Sequence, residues 1–235
     1  MKGGSNRTVQ ALVFDFDGTL VDTETPELTV WTHIFENRGV RMPEGYWGSM
    51  IGRGAEQEFE RPAKLLERLC GIPFEESEYK HERIMDLIDR EPLRPGALEL
   101  IEGARAAGIP LGVASSSTHA WVDRELRKRD AFDLFDTIVC ADDVERAKPF
   151  PDLYLLACAR LGSEPAKTIA IEDTPNGLAA AKAAGLFAVV TPNPVTETLD
   201  LSDADLRIDD LTDWSLADLD QALVQRKGAY ARLSR

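Results

Sequence analysis

The chain has 235 residues, of which 41 are acidic and 27 basic, giving a formal net charge of −14. A surface that acidic repels a phosphate backbone, so no nucleic-acid partner bound through a basic groove is expected. Hydrophobic residues at 43% and charged residues at 29% are ordinary globular proportions, which excludes disorder over the whole chain.

Short, continuously apolar runs mark strands buried on both faces, as in a parallel sheet. They cover residues 9–14, 109–114, 137–140, 168–171 and 187–190. Helical stretches over 97–107, 152–161 and 178–184 lie between them, each followed by a glycine at 108, 162 or 185; glycine past the end is common helix punctuation. This alternation predicts an α/β fold with a doubly wound parallel-sheet, Rossmann-like core. Residues 23–94 break the rhythm, with helical periodicity only, over 25–37, 55–70 and 75–89. They read as an inserted all-helical cap domain, leaving 1–22 and 95–235 as the core domain. The acidic stretch over 197–220 reads as solvated loop and a surface helix.

Cys70, Cys140 and Cys158 are too few and too scattered for a disulfide framework, and read as thiols of a reducing cytosol. Residues 1–7 lack the apolar stretch of a signal peptide, and no apolar run reaches membrane-spanning length. A cytoplasmic protein with no membrane partner is expected, as a monomer or weak dimer.

The chemistry concentrates at strand ends. Asp15-Phe16-Asp17-Gly18-Thr19 follows the first strand directly, and period two puts Asp15 and Asp17 on one side at the sheet's C-terminal edge. Paired carboxylates repel and require a cation or a shared proton. Ser115 ends the second strand, ahead of a helix start where Ser117 or Thr118 could cap, a combination suited to an anion. Lys148 lies in Ala147-Lys148-Pro149-Phe150-Pro151, a loop stiffened by two prolines. Glu172-Asp173 ends the fourth strand, and Thr174-Pro175-Asn176-Gly177 leads into a helix. Two buried acids without partners are costly, which marks them as functional.

Together these four elements resemble the motifs of the haloacid dehalogenase superfamily, in its branch of phosphatases and β-phosphoglucomutase-like enzymes with a helical cap after the first motif. The similarity extends to Leu20-Val21-Asp22-Thr23-Glu24 and to the return at Leu93-Arg94-Pro95-Gly96. It implies a phosphatase that hydrolyses a small phosphorylated metabolite, a sugar phosphate, through an aspartyl-phosphate. Asp15 would be the nucleophile and Asp17 the general acid and base. Mg²⁺ would be held by Asp15, the Asp17 backbone carbonyl and Asp173, with Glu172 in reach. Ser115, Ser116 and Lys148 would bind the phosphate. Arg53, in a cap loop that resembles the family's substrate loop, and His119 are candidates for the rest of the substrate. Lys80 and His81 read as solvated, and the four tryptophans as packing. A phosphosugar mutase is the alternative, but Glu27 stands where that branch carries a histidine.

Overall fold

The computed structural model describes residues 7–51, 60–75, 79 and 81–233. Its centre is a parallel sheet of six strands: β1 (Ala11–Phe14), β2 (Leu111–Ala114), β3 (Thr137–Val139), β4 (Thr168–Glu172), β5 (Phe187–Val190) and β6 (Leu206–Arg207). Their order is β3-β2-β1-β4-β5-β6. Leu12 pairs with Leu111 on one side and Ile169 on the other. The chain therefore reverses its winding at β1, and open α/β sheets bind ligands beyond the strand ends at such a reversal.

Period-two alternation sorts the strand residues between two cores. Leu12, Phe14, Leu111, Val113, Ile169, Ile171, Phe187 and Val189 enter one cluster. Helices α4 (Ala97–Ala106), α5 (His119–Lys128) and α8 (Leu216–Leu233) cover it with Leu100, Val122 and Leu219. The opposite face receives Val13, Ala114, Ala170 and Ala188. These smaller side chains let α6 (Asp152–Leu161) and α7 (Pro175–Ala183) pack Leu153, Tyr154 and Leu178 closely on the sheet.

Helices α1 (Glu24–Asn37), α2 (Pro62–Cys70) and α3 (His81–Ile88) form a third cluster around Trp31, Phe35, Trp47, Leu65 and Ile84. The chain leaves the sheet and returns side by side. Val21 bridges Leu93 antiparallel, and Arg94 N–H donates to Leu20 O at 2.8 Å.

Three expectations change. Helix α2 begins at Pro62, a residue suited to the first helical position; the proposed start at 55 lies outside the described residues. Helix α3 starts only at His81, with Glu75 and Tyr79 non-helical. The acidic 197–220 stretch contains β6, an edge strand of two residues, too short for alternation to register.

Candidate active site

Asp15 leaves the sheet at the end of β1 with its N–H still bonded to Ile171 O on β4 at 2.9 Å. The chain then turns sharply at Gly18, whose φ is +80°. A Cβ there would fall on the Asp173 carboxylate, so glycine is required both for the turn and for the close approach.

Asp15, Glu172 and Asp173 are buried and bring carboxylate oxygens within 4.8 Å of one another. Lys148 lies among them, with Nζ 2.5 Å from Asp15 Oδ1 and 2.6 Å from Glu172 Oε1. Tyr154 O–H donates to the same Glu172 oxygen at 2.5 Å. Asp173 accepts from Thr19 Oγ1 at 3.0 Å and Asn193 Nδ2 at 2.8 Å. Burial pushes the Asp15 carboxyl up to about 7, Lys148 opposing and Glu172 adding to the rise. Burial and then the charges of Asp15 and Glu172 raise Asp173 well above the usual carboxylate range. Against burial, which lowers it, Asp15 and Glu172 raise the Lys148 ammonium. Two of the three buried carboxylates, Asp15 and Glu172, thus share one ammonium, while Asp173 is held by neutral donors. A surplus of hard oxygen donors converging on one point fits a divalent metal ion.

Asp17 points its carboxylate elsewhere. Oδ1 accepts from Thr23 Oγ1 at 3.0 Å and Trp121 Nε1 at 2.8 Å. Oδ2 accepts from Ser117 Oγ at 2.6 Å.

Beyond the end of β2, Ser115 Oγ accepts from Ser117 N at 3.0 Å. Ser116 Oγ is buried without a hydrogen-bond partner among the described residues. Thr118 occupies the cap position of α5 but makes no side-chain bond there; His119 N donates instead to Asp142 Oδ1 at 3.1 Å.

These groups line one cavity of about 320 Å³ between the sheet edge and the three-helix layer. Asp15, Asp17, Ser115, Ser116, Ser117, Trp121, Lys148 and Thr174 form the sheet side, and Glu24, Glu27, Ile51, Tyr79, His81, Ile84, Met85 and Ile88 belong to the helical layer. Burial, then the charges of Asp17 and Glu27, push Glu24 up to about 8. Burial and Asp17 also raise Glu27, against a hydrogen bond from Trp31.

His119 is not among the lining residues. Its ring lies 3.1 Å from Asp123 Oδ1 and 2.7 Å from Asp143 Oδ2, joining α5 to the turn after β3. His81, read as solvated, is exposed but lines the cavity. Arg53 and Lys80 lie outside the described residues. Sequence reasoning missed Trp121 and Tyr154; nothing in the local pattern distinguishes either from packing. It read Arg94 only as part of a returning segment. The guanidinium donates to Gly18 O at 2.8 Å, Thr191 O at 3.0 Å and Pro192 O at 2.7 Å, tying the turn after β1 to the loop after β5.

The profile of the haloacid dehalogenase-like hydrolases matches residues 9–185. YhcW of Bacillus subtilis (strain 168), which bears a phosphatase name, is 42% identical over 212 residues, covering 89% of this chain and 95% of that protein. Validoxylamine A 7′-phosphate phosphatase of Streptomyces hygroscopicus subsp. limoneus is 33% identical over 206 residues, covering 86% and 93%. A β-phosphoglucomutase is also among the relatives. A mutant CbbY from Rhodobacter sphaeroides, solved in complex with xylulose-(1,5)bisphosphate, superposes with a TM-score of 0.67. It is 29% identical and covers 90% of this chain and 99% of its own. The chain belongs to the haloacid dehalogenase-like hydrolases and is a phosphoric monoester hydrolase.

Proposed function

We propose that this protein is a Mg²⁺-dependent phosphatase that hydrolyses a small sugar phosphate through a phosphorylated Asp15. Asp15 Oδ attacks phosphorus and the bond to the ester oxygen breaks, with the leaving oxygen taking a proton from Asp17. In the second step Asp17 takes a proton from water. That water attacks the aspartyl-phosphate at phosphorus, releasing inorganic phosphate and the Asp15 carboxylate. Lys148, Ser115 and Ser116 meet the non-bridging oxygens, where the transferring group carries its charge. The observation that carries this reading is the division of labour between the two acids. Asp15 lies against Lys148 and the acidic cluster, while Asp17 is held by Thr23, Ser117 and Trp121 at the same cavity.

Asp15, the Asp17 carbonyl and Asp173 would hold Mg²⁺, with Glu172 in direct or water-bridged reach. When bound, the ion neutralises phosphoryl charge and keeps the phosphorus aligned with Asp15. Residues 23–94 serve as a cap domain over the core formed by 1–22 and 95–235, and the side-by-side segments bridged at Val21 and Leu93 are its hinge. The sugar-phosphate class draws support from the sugar bisphosphate in the CbbY complex.

Hydrolysis is favoured over transfer because Glu27, at the position of the mutase histidine, faces the cavity as a half-buried acid. The test incubates the protein and Mg²⁺ with hexose and pentose phosphates and follows both products. Phosphate release equal to substrate loss is expected. Isomerised sugar phosphate with little free phosphate, and a need for catalytic bisphosphate, would establish the mutase instead.

A further inference from the structure

We infer that Trp121 is the positioning residue for Asp17, its indole N–H fixing the carboxylate so that Oδ2 is the oxygen that exchanges a proton with the substrate. The inference rests on the role proposed above for Asp17.

Among the described residues the Asp17 carboxylate has three donors. Thr23 and Trp121 both reach Oδ1, and Ser117 reaches Oδ2. The donors differ in kind. A hydroxyl rotates and can switch between donating and accepting, whereas an indole N–H only donates, in one direction. With Thr23 and Trp121 both on Oδ1, its acceptor sites are filled, and the indole cannot turn round to accept a proton carried there. Ser117 can make that switch, so Oδ2 is the oxygen free to gain and lose a proton.

The indole is itself held in place. It packs against the core cluster below the sheet edge and also against the helical-layer cluster, and the Arg124 guanidinium lies 4.9 Å from its ring centroid. It sits in the first turn of α5, four residues after Ser117 and three after Thr118, which belong to the short loop leading into that helix. A donor on a rigid, packed ring costs little entropy to hold in position, which is what an acid that must meet one oxygen requires.

The test uses the full chain with Mg²⁺ and compares kcat/KM for glucose 6-phosphate and p-nitrophenyl phosphate. The first releases an alkoxide that needs a proton; the second releases a nitrophenolate that needs little. Trp121→Phe keeps most of the ring and removes the N–H. A positioning role predicts a loss of about tenfold or more on the sugar phosphate and under about threefold on the aryl ester, from one lost bond to a charged acid. Equal losses on both substrates, or no loss on either, overturn the inference. If Trp121→Phe fails to fold by circular dichroism, 3-benzothienylalanine at position 121 replaces only the N–H by sulfur, and the same ratio decides. Asp15→Asn is run in parallel. Turnover surviving in that variant removes the phosphatase mechanism itself, whereas an inactive Asp15→Asn with an unchanged substrate ratio in Trp121→Phe removes the positioning role alone.

Discussion

Lys148 Nζ lies 2.5 Å from Asp15 Oδ1, joining a loop to the end of the central strand, and both side chains are shut off from solvent at 3% and 9% exposure. The same ammonium holds Glu172, which is fully buried. One cation therefore keeps two buried carboxylates tolerable where a phosphoryl group is proposed to bind, and the pair is structural as well as chemical.

Lys148→Met should leave Asp15 and Glu172 without their cation. Breaking a buried pair in this way costs roughly 3–5 kcal/mol. Urea unfolding in excess EDTA should show a loss of that order, and Mg²⁺ should recover part of it by supplying charge to the same cluster. Activity should fall to background with or without the metal. An unchanged urea midpoint in EDTA would show that the ion pair is not holding the site together.

Gly177→Ala tests the close packing beneath the acidic cluster. A Cβ at Gly177 would overlap the Glu172 carboxylate, and Thr174 Oγ1 already accepts from Gly177 N at 3.1 Å to cap α7. Overpacking a well-filled site costs about 1–3 kcal/mol. Lower thermal stability and weaker Mg²⁺ binding by calorimetry are expected together; normal metal affinity would show that Glu172 is not sensitive to this contact.

Arg94→Lys addresses the tie between the two loops. A single ammonium cannot span the carbonyls of Gly18, Thr191 and Pro192 as the guanidinium fork does. A loss of about 1.5–3 kcal/mol is expected from charge-assisted bonds to buried carbonyls. Hydrogen exchange should speed up at residues 18–21 and 191–196 while β2 and β3 stay protected. Uniform exchange across the sheet would count against a local clamp.

The cluster at His119 makes stability depend on pH. Against burial, which lowers it, hydrogen bonds to Asp123 and Asp143 raise the His119 imidazolium above its ordinary 6.5. In return Asp143, opposed by burial but bonded to Arg160, Cys140 N–H and His119, is held down to about 2. Because the folded value for His119 lies above the unfolded one, its stabilising contribution is complete below about pH 6.5 and disappears as pH rises through the folded value. His119→Gln should therefore lower Tm at pH 5.5 more than at pH 9. A pH-independent difference between the two proteins would refute this.

The sequence carried the sheet and the four clusters at its edge because each depends on local pattern. Continuous apolar runs ending in acids or serine are visible without knowing what packs on them. Where the outcome depended on distant partners, the pattern was silent. Trp121 reaches Asp17 across 104 residues, and a lone tryptophan looks the same whether its N–H is used or not. Tyr154 meets Glu172 only because α6 lies on the face of small side chains. His119 shows the opposite failure. Its partner Asp123 stands four residues on, a spacing that puts the two on one helix face, and that local signal outweighs nearness to the Ser115 loop. β6 escaped notice because it is only Leu206 and Arg207, a single apolar residue beside a charged one, with Asp203, Asp205, Asp209 and Asp210 around them.

The central claim is that Asp15 carries the phosphoryl group, and chemical quench tests it most directly. The protein with Mg²⁺ and a ³²P-labelled sugar phosphate is acid-quenched within the first turnover, digested, and its peptides mapped by mass spectrometry. The expected result is label on the peptide containing Asp15, released by hydroxylamine as an acyl phosphate is, and absent from Asp15→Asn, which is folded and inactive. Hydrolysis persisting in Asp15→Asn, with no labelled Asp15 peptide from the wild type, would contradict the account.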